Sequence, residues 1–214
     1  KMSSSANYRN HCILCDAASF KPVYGENHFL IKCSNCGLVS TNLIPSYNEL
    51  KEYYNVYPSY EELSYLTLQR YNKILDKLEV FRKTNNLLET GCGFGYFLEE
   101  ARKRKWNVYG TEFSEKTIAE CRRKNIFVSE SFEDFPMNVK NQFDAVVSME
   151  VIEHLTDPVK EIEKYSDIVR PLGALYITTP NFNSFSRRLF GKKWNVIIYP
   201  EHLNYFTSHT INNL

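Results

Sequence analysis

The sequence predicts an α/β protein in which a doubly wound, mostly parallel sheet follows a small cysteine-rich module. Three observations carry this reading. From Asn86 onward, short apolar runs alternate with amphipathic segments at the spacing of strand–helix–strand units. The first of these runs, Leu87-Leu88, feeds a glycine-rich turn at Gly91, Gly93 and Gly95. Ahead of it, four of the six cysteines form two Cys-x-x-Cys pairs, Cys12/Cys15 and Cys33/Cys36.

Taken in chain order, residues 1–45 form the module. Two thiolates two residues apart on a tight turn can both reach one tetrahedral ion at ~2.3 Å, and a second such pair closes a four-sulfur shell. With no position left for water, the predicted ion is a structural zinc held by Cys12, Cys15, Cys33 and Cys36. His11 and His28 lie near enough in sequence to replace a sulfur, but four cysteines already complete the shell. Gly37 tolerates the positive φ that helps to finish the second knuckle. The alternative is a pair of disulfides in a secreted protein. The opening Lys-Met-Ser-Ser-Ser has no apolar leader core, which favours reduced thiols and a cytoplasmic setting. Short strands are expected at 21–24, 29–32 and 38–40, and Pro45 marks the exit.

Residues 46–85 begin with a tyrosine-dense stretch, Tyr47, Tyr53, Tyr54, Tyr57, Tyr60 and Tyr65, broken by Pro58. Tyr71, Ile74, Leu75, Leu78 and Phe81 then recur at three- and four-residue steps, as on a helix with one buried face. Residues 86–214 carry the alternating pattern. A strand at 87–88 precedes a helix over 96–105 that buries Phe97, Leu98 and Ala101. A strand at 108–110 precedes a helix over 115–124, with Ser114 as its N-cap. Strands follow at 126–128 and 143–148. Asp157-Pro158 opens a helix burying Val159, Ile162, Tyr165 and Val169, because Asp suits the N-cap and Pro the first helical position. The last clear strand is 175–178. The basic run Arg102–Lys105 ends a helix, where cations suit the dipole and water.

Composition narrows the class. With 43% hydrophobic and 24% charged residues, a folded, water-soluble chain is expected rather than a disordered or collagenous one. No apolar run approaches the ~18 residues of a membrane helix. Twenty-six basic against 25 acidic side chains leave a net charge of +1, which argues against a protein built to hold nucleic acid.

The informative segment is Glu89-Thr90-Gly91-Cys92-Gly93-Phe94-Gly95. A strand entering a glycine-rich turn ahead of a helix lets the backbone approach a ligand where side chains would clash. Glu112, at the end of the next strand, can accept hydrogen bonds from the ribose hydroxyls of an adenosine. A nicotinamide-dinucleotide fingerprint is the rival reading. It wants glycine at the sixth position of the turn, where Tyr96 stands, and Glu89 beside the turn would repel a pyrophosphate. A carboxylate there suits a ligand bearing an ammonium and a sulfonium.

These residues resemble the first motif of class I S-adenosylmethionine-dependent methyltransferases. The resemblance continues through Tyr109–Ser114, Phe143–Leu155 and Arg170–Leu175, and the four motifs span roughly residues 86 to 180. The usual Pro-Gly-Gly turn is Pro171-Leu172-Gly173 here. The resemblance implies a Rossmann-like domain binding S-adenosylmethionine. Gly91, Cys92, Gly93 and Gly95 would pass beneath the methionine part, Glu89 would hold its amino group, and Glu112 the ribose. Phe113, Ser131 and Phe132 would flank the adenine, with Met149 closing over it, and Tyr54 would act as a lid beside Tyr53. Together with the cysteine knuckles, Thr179-Pro180-Asn181 and Pro200–Phe206 resemble zinc-bearing methyltransferases that modify sugars and polysaccharides.

Methyl transfer from a sulfonium requires that an acceptor be positioned and, for a hydroxyl or carbon acid, relieved of a proton. His202 is the first candidate base; His154 is the second, with a helix-orienting role as its alternative, and Glu150 could bind a substrate hydroxyl. Four cations and four aromatics between Asn181 and Trp194 suggest a clamp for a nucleotide-linked or lipid-linked saccharide, with Arg187 and Arg188 at its centre. O- or C-methylation of a small molecule or saccharide is the leading expectation. Methylation of RNA or protein, with the zinc module as reader, and a non-catalytic zinc-containing binding module are the alternatives. The class has seven strands and only five are legible before Ile211-Asn212-Asn213-Leu214, so the domain is expected to be C-terminally incomplete.

Overall fold

The computed structural model describes residues 7–55 and 63–214. Tyr57, Pro58 and Tyr60 of the tyrosine-dense stretch, and the opening Lys1–Ser5, lie outside the described residues. The strands are β1 (Asn7–Tyr8), β2 (Phe20–Pro22), β3 (Leu30–Cys33), β4 (Val39–Thr41), β5 (Leu43–Ile44), β6 (Asn86–Thr90), β7 (Asn107–Thr111), β8 (Phe127–Ser129), β9 (Phe143–Met149), β10 (Val169–Thr178) and β11 (Asn204–Tyr205). The helices are α1 (Tyr47–Asn55), α2 (Tyr65–Leu78), α3 (Tyr96–Lys103), α4 (Glu115–Arg123), α5 (Pro158–Ile168), α6 (Phe185–Phe190) and α7 (Ser208–Ile211). They gather into two compact units. One holds the described residues up to Tyr53 with Glu150–Ile162 and Thr178–Leu214; the other holds those from Tyr54 to Met149 with Glu163–Ile177. α1 thus reaches the end of one unit at Tyr53, and residues 86–214 contribute to both.

The second unit is built on a five-stranded parallel sheet of order β10-β9-β6-β7-β8. Strands covered on both faces must be apolar nearly throughout, and Phe143–Ser148 of β9 are all buried, as are Leu87–Thr90 of β6. Register then sets the site. Thr90 pairs with Thr111 and Ser148, and Thr111 pairs with Ser129, so the carboxyl ends of four strands lie at one level. Ligands of open α/β sheets bind beyond such ends. On one face Phe97, Leu98 and Ala101 of α3 pack with Ile74, Leu75 and Leu78 of α2, as the helical periodicity predicts. Phe81 departs from the pattern: it falls in a single 3-10 turn and is exposed. Pro158, Tyr165 and Ile168 are the buried residues of α5, whereas Val169 already begins β10. Pro171-Leu172-Gly173 is not a free turn ahead of a strand but a bend inside β10, with Leu172 at φ +64°. A Cβ on Gly173 would lie 2.9 Å from the carbonyl oxygen of Asp144, so close approach of backbone requires glycine there.

Asp144 pins the amino-terminal side of this sheet. Its Oδ2 accepts from the N–H groups of Lys83, Thr84 and Asn85 at 2.6, 2.7 and 2.8 Å, and its Oδ1 from Arg170 Nε at 2.5 Å. Burial alone would raise its pKa, but these four donors outweigh it and hold the carboxyl below the usual aspartate range. Asp144→Ala takes the acceptor from three N–H groups and a guanidinium at once, and is expected to cost about 3 kcal/mol in urea unfolding. A depressed carboxylate stabilises the fold above its unfolded value of ~3.9 and stops doing so as pH falls through its folded value. The stability gap between wild type and Asp144→Asn should therefore narrow below about pH 4.

The first unit contains an antiparallel sheet of order β11-β4-β3-β2. β11 pairs with β4 (Asn204↔Ser40, Tyr205↔Val39), so a late segment completes a sheet begun near the amino terminus. Leu30, Val39, Phe182, Trp194 and Tyr205 form its core. Ser46 and Glu49 cap α1 reciprocally: Ser46 N–H donates to Glu49 Oε2 at 2.7 Å and Glu49 N–H to Ser46 Oγ at 3.3 Å. Thr207 caps α7, its side chain accepting from Thr210 N–H.

Candidate functional site

The glycine turn leaves β6 with alternating left-handed residues: Gly91, Gly93 and Gly95 have φ of +60°, +51° and +71°. Side chains rarely adopt this region, so the sequence pattern follows from the backbone path. The three glycines serve different ends. A Cβ on Gly93 would meet nothing within 4 Å, whereas one on Gly95 would lie 3.0 Å from Cys121 Sγ and 3.2 Å from Ile126 Cδ1. Gly93 thus faces open space and Gly95 is set by packing. Cys92 is buried, its sulfur 2.7 Å from where a Cβ on Gly110 would stand, so it offers a ligand only its main chain.

Two carboxylates flank the turn. Glu112 ties it to β7: its Oε2 accepts from Gly93 N–H at 2.8 Å, and its Oε1 from the N–H groups of Phe113 at 2.7 Å and Ser114 at 3.1 Å. A carboxylate has about four lone-pair positions, so Glu112 keeps about one for a ligand hydroxyl. Glu89 is different. It is 5% exposed and its Oε2 has no hydrogen-bond partner. Burial, reinforced by the neighbouring Cys121 and Glu112, pushes its carboxyl well above the usual range. An unpartnered acid at this depth is costly unless a cation or donor arrives.

Around the same strand ends, Tyr54 stands edge-on to Phe113, with ring centroids 6.0 Å apart. Ser131 caps a 3-10 turn, and Phe132 in that turn leans on Phe135 at 5.8 Å, part of an aromatic cluster with Tyr109, Phe127 and Phe143. Met149, half-buried, ends β9.

The remaining candidates lie in the first unit. Glu150 is exposed with φ +55°, a strained backbone for a non-glycine residue, and its N–H donates to Thr178 O at 2.9 Å. His154 and His202 meet edge to face, with ring centroids 4.6 Å apart. Nδ1 of His154 is 2.9 Å from Glu201 O, and Nδ1 of His202 is 2.7 Å from Val196 O. Burial, aided by His202, brings His154 down to about 4, and burial also lowers His202, so both rings are neutral at pH 7. Tyr53 Oη donates to Glu201 Oε2 at 2.9 Å. Glu153, which lies within the Phe143–Leu155 motif but is not among the candidate site residues, sits 1% exposed beside the pair.

The profile of one protein family, described as a methyltransferase domain, matches residues 61–214. The chain belongs to that family. Among curated relatives of this methyltransferase domain, the ubiquinone biosynthesis O-methyltransferase of Aromatoleum aromaticum is 32% identical over 111 residues, 49% of this chain and 47% of its own length. The enzyme of the same name from Vibrio campbellii is 28% identical over 142 residues, 62% of this chain and 60% of its own length. The chain thus spans about half to three-fifths of the relatives it matches. Among solved structures, an S-adenosylmethionine-dependent methyltransferase from Thermotoga maritima, possibly acting on histamine, is 21% identical with a TM-score of 0.52 and 67% coverage of both chains. A protein from Pyrococcus horikoshii, also 21% identical, reaches a TM-score of 0.51 over 64% of this chain and 70% of its own. Both likenesses are of fold alone.

Within the first unit, the cysteine knuckles converge. The four sulfurs lie within 4.8 Å of one another, with Cys12–Cys36 at 3.4 Å and Cys15–Cys33 at 3.6 Å. A tetrahedron with ~2.3 Å metal–sulfur bonds has edges of about 3.8 Å, whereas a disulfide needs ~2.05 Å. The four cysteines are free and fit one ion. The knuckles share one geometry: Asp16 (φ +56°) and Gly37 (φ +79°) each follow the second cysteine and donate their N–H to the carbonyl of the first. His28 is turned away, stacked on Phe29 and accepting from Leu30 N–H. The expected clamp is only partly available. Phe182 and Trp194 are core residues, and Arg187 lies over the Phe182 ring while donating to the Phe182 carbonyl. Arg188, Lys192 and Lys193 remain exposed.

Proposed function

We propose that this chain binds S-adenosylmethionine and directs its methyl group to a hydroxyl of a small molecule. The observation that carries the reading is Glu89, a buried acid with an unpartnered oxygen beneath a turn of left-handed glycines. The cofactor supplies a methyl group already activated on a sulfonium. Glu89 would hold its ammonium, the open side of Gly93 would admit its backbone, and the remaining lone pair of Glu112 would accept one ribose hydroxyl. Tyr54 and Phe113 offer an aromatic corner for the adenine, with Ser131, Phe132 and Met149 near the same strand ends. Glu150, His154 and His202 follow in chain order from the end of β9 and serve the acceptor, His202 first among them. The relatives' name supports O-methylation. Free thiols suit a reducing, cytoplasmic compartment, and no described helix is long and apolar enough to cross a membrane.

A second reading, a saccharide acceptor methylated at oxygen or carbon, draws on the four-cysteine cluster and Glu201-His202, which resemble sugar-modifying members of the class. We also propose that the cluster holds one structural zinc. Calorimetry should show one S-adenosylmethionine bound per chain, and absence of binding would overturn the enzyme reading. Labelled cofactor offered with phenolic small molecules and, separately, with nucleotide-linked sugars should label one panel and so decide between the acceptors.

A further inference from the structure

Under the glycine turn lies a pair of thiols that methyl transfer does not use. Cys92, in the turn, is 7% exposed, and Cys121, near the end of α4, is fully buried. Both S–H groups point at one acceptor, the Gly93 carbonyl, which lies 3.2 Å from Cys121 Sγ and 3.8 Å from Cys92 Sγ. The backbone is cleared for both sulfurs. A Cβ on Gly95 would stand 3.0 Å from Cys121 Sγ, and one on Gly110 2.7 Å from Cys92 Sγ. Gly110 does not take a positive φ, so room for the neighbouring side chains, the thiol first, is what requires glycine there. The thiols also act on each other. Their contact, ahead of burial, holds Cys92 well above the ordinary cysteine range, and the same contact, helped by Lys124, lowers Cys121 against the effect of burial. One sulfur is thus the better nucleophile and the other keeps the proton, the division of labour of an attacking and a resolving cysteine.

We propose that Cys92 and Cys121 form a reversible redox site beneath the glycine turn, in which a peroxide joins them as a disulfide. The Cys121 thiolate attacks one peroxide oxygen; the O–O bond breaks, the second oxygen leaves as water once protonated, and Cys121 becomes a sulfenic acid. The Cys92 sulfur then attacks the Cys121 sulfur, the S–O bond breaks, and the hydroxyl leaves with the Cys92 proton as a second water. The two thiols together give up two electrons and the peroxide takes them. A disulfide has no S–H, so the Gly93 carbonyl loses both donors, and a bond of ~2.05 Å draws the turn toward α4. Gly93 is the glycine whose Cβ position faces open space, where the peroxide approaches. On the methyltransferase reading above, the cofactor lies over that same side. Oxidation then weakens cofactor binding, and bound cofactor in turn slows oxidation. Formation of the disulfide itself does not depend on that reading.

The full chain, reduced and kept loaded with zinc so that the four knuckle thiolates stay occupied, is exposed to hydrogen peroxide and digested without reductant. Mass spectrometry should find the Cys92 and Cys121 peptides joined, lighter by two hydrogens, and dithiothreitol should separate them. Calorimetry on the oxidised chain should show S-adenosylmethionine bound about tenfold or more weakly, with recovery on reduction. S-adenosylmethionine added before the peroxide should slow the joining. Cys121→Ser keeps an O–H donor for the Gly93 carbonyl, so it should bind the cofactor as the reduced wild type does and keep that affinity in peroxide, with circular dichroism reporting its folding. Two free thiols after peroxide, or Cys92 and Cys121 paired with other cysteines, would overturn the site. A joined pair with unchanged cofactor affinity would overturn its control of the turn. A joined pair in a chain that binds no cofactor even when reduced would sustain the disulfide and sink the methyltransferase reading.

Discussion

Glu89→Gln should weaken S-adenosylmethionine binding by roughly 10- to 100-fold and at the same time raise the melting temperature of the free protein. The two effects share one cause. In the free protein Glu89 is 5% exposed with an unpartnered Oε2, and burial holds its carboxyl well above the usual range. A neutral amide of the same shape removes that cost. An ammonium paired with a buried carboxylate contributes about 1.5–3 kcal/mol, which the amide cannot match and which corresponds to the stated loss. Opposite signs for affinity and stability are the signature of a group kept for a ligand rather than for the fold. The protonation change sharpens the test. A carboxyl that is protonated when free and ionised when bound releases a proton, so affinity should rise with pH until the free carboxyl has ionised. Calorimetry in buffers of different ionisation enthalpy measures that proton. If Glu89→Gln lowered the melting temperature and bound the cofactor as wild type does, Glu89 would be a structural acid.

How much of this was legible in the sequence depends on whether the cause is local. The glycine turn, Glu89 and Glu112 stand within one strand–turn–helix–strand unit, and their spacing is set by backbone conformation that only glycine adopts easily. The Cys-x-x-Cys spacing reports a knuckle that closes over a few residues. Helix faces such as Ile74, Leu75 and Leu78 follow from periodicity. What stayed hidden depends on distant pairing. The two-residue strand β11 has no periodicity to read, and its partner β4 lies more than 160 residues away in sequence. The burial of Glu153, next to His154, depends on distant segments too, since Leu203 and Asn204 fasten its carbonyl from far along the chain. Arg187 looked free for the same reason, since its stacking partner Phe182 is held in a core assembled from both ends of the sequence.

Cys33→Ser is expected to abolish one equivalent of bound zinc and to unfold the antiparallel sheet of the first unit. Cys33 ends β3, 1% exposed, on the strand that supplies Leu30 to the core with Val39, Phe182, Trp194 and Tyr205. Its sulfur lies 3.6 Å from that of Cys15, so losing it opens the shell on the side facing that core. Structural zinc contributes on the order of 10 kcal/mol in isolated zinc-finger peptides; a small apolar core shares the task here, and a loss of several kcal/mol is the expected scale. The two tryptophans allow the effect to be located. Trp194 belongs to this core and Trp106 to the core of the other unit, so a Trp106→Phe background leaves Trp194 as the reporter. Zinc released by a thiol-blocking mercurial should leave at one per chain, with a red shift of Trp194 emission in step with it. A chain that holds no zinc, or that loses zinc with Trp194 emission unchanged, would remove the ion from any structural role.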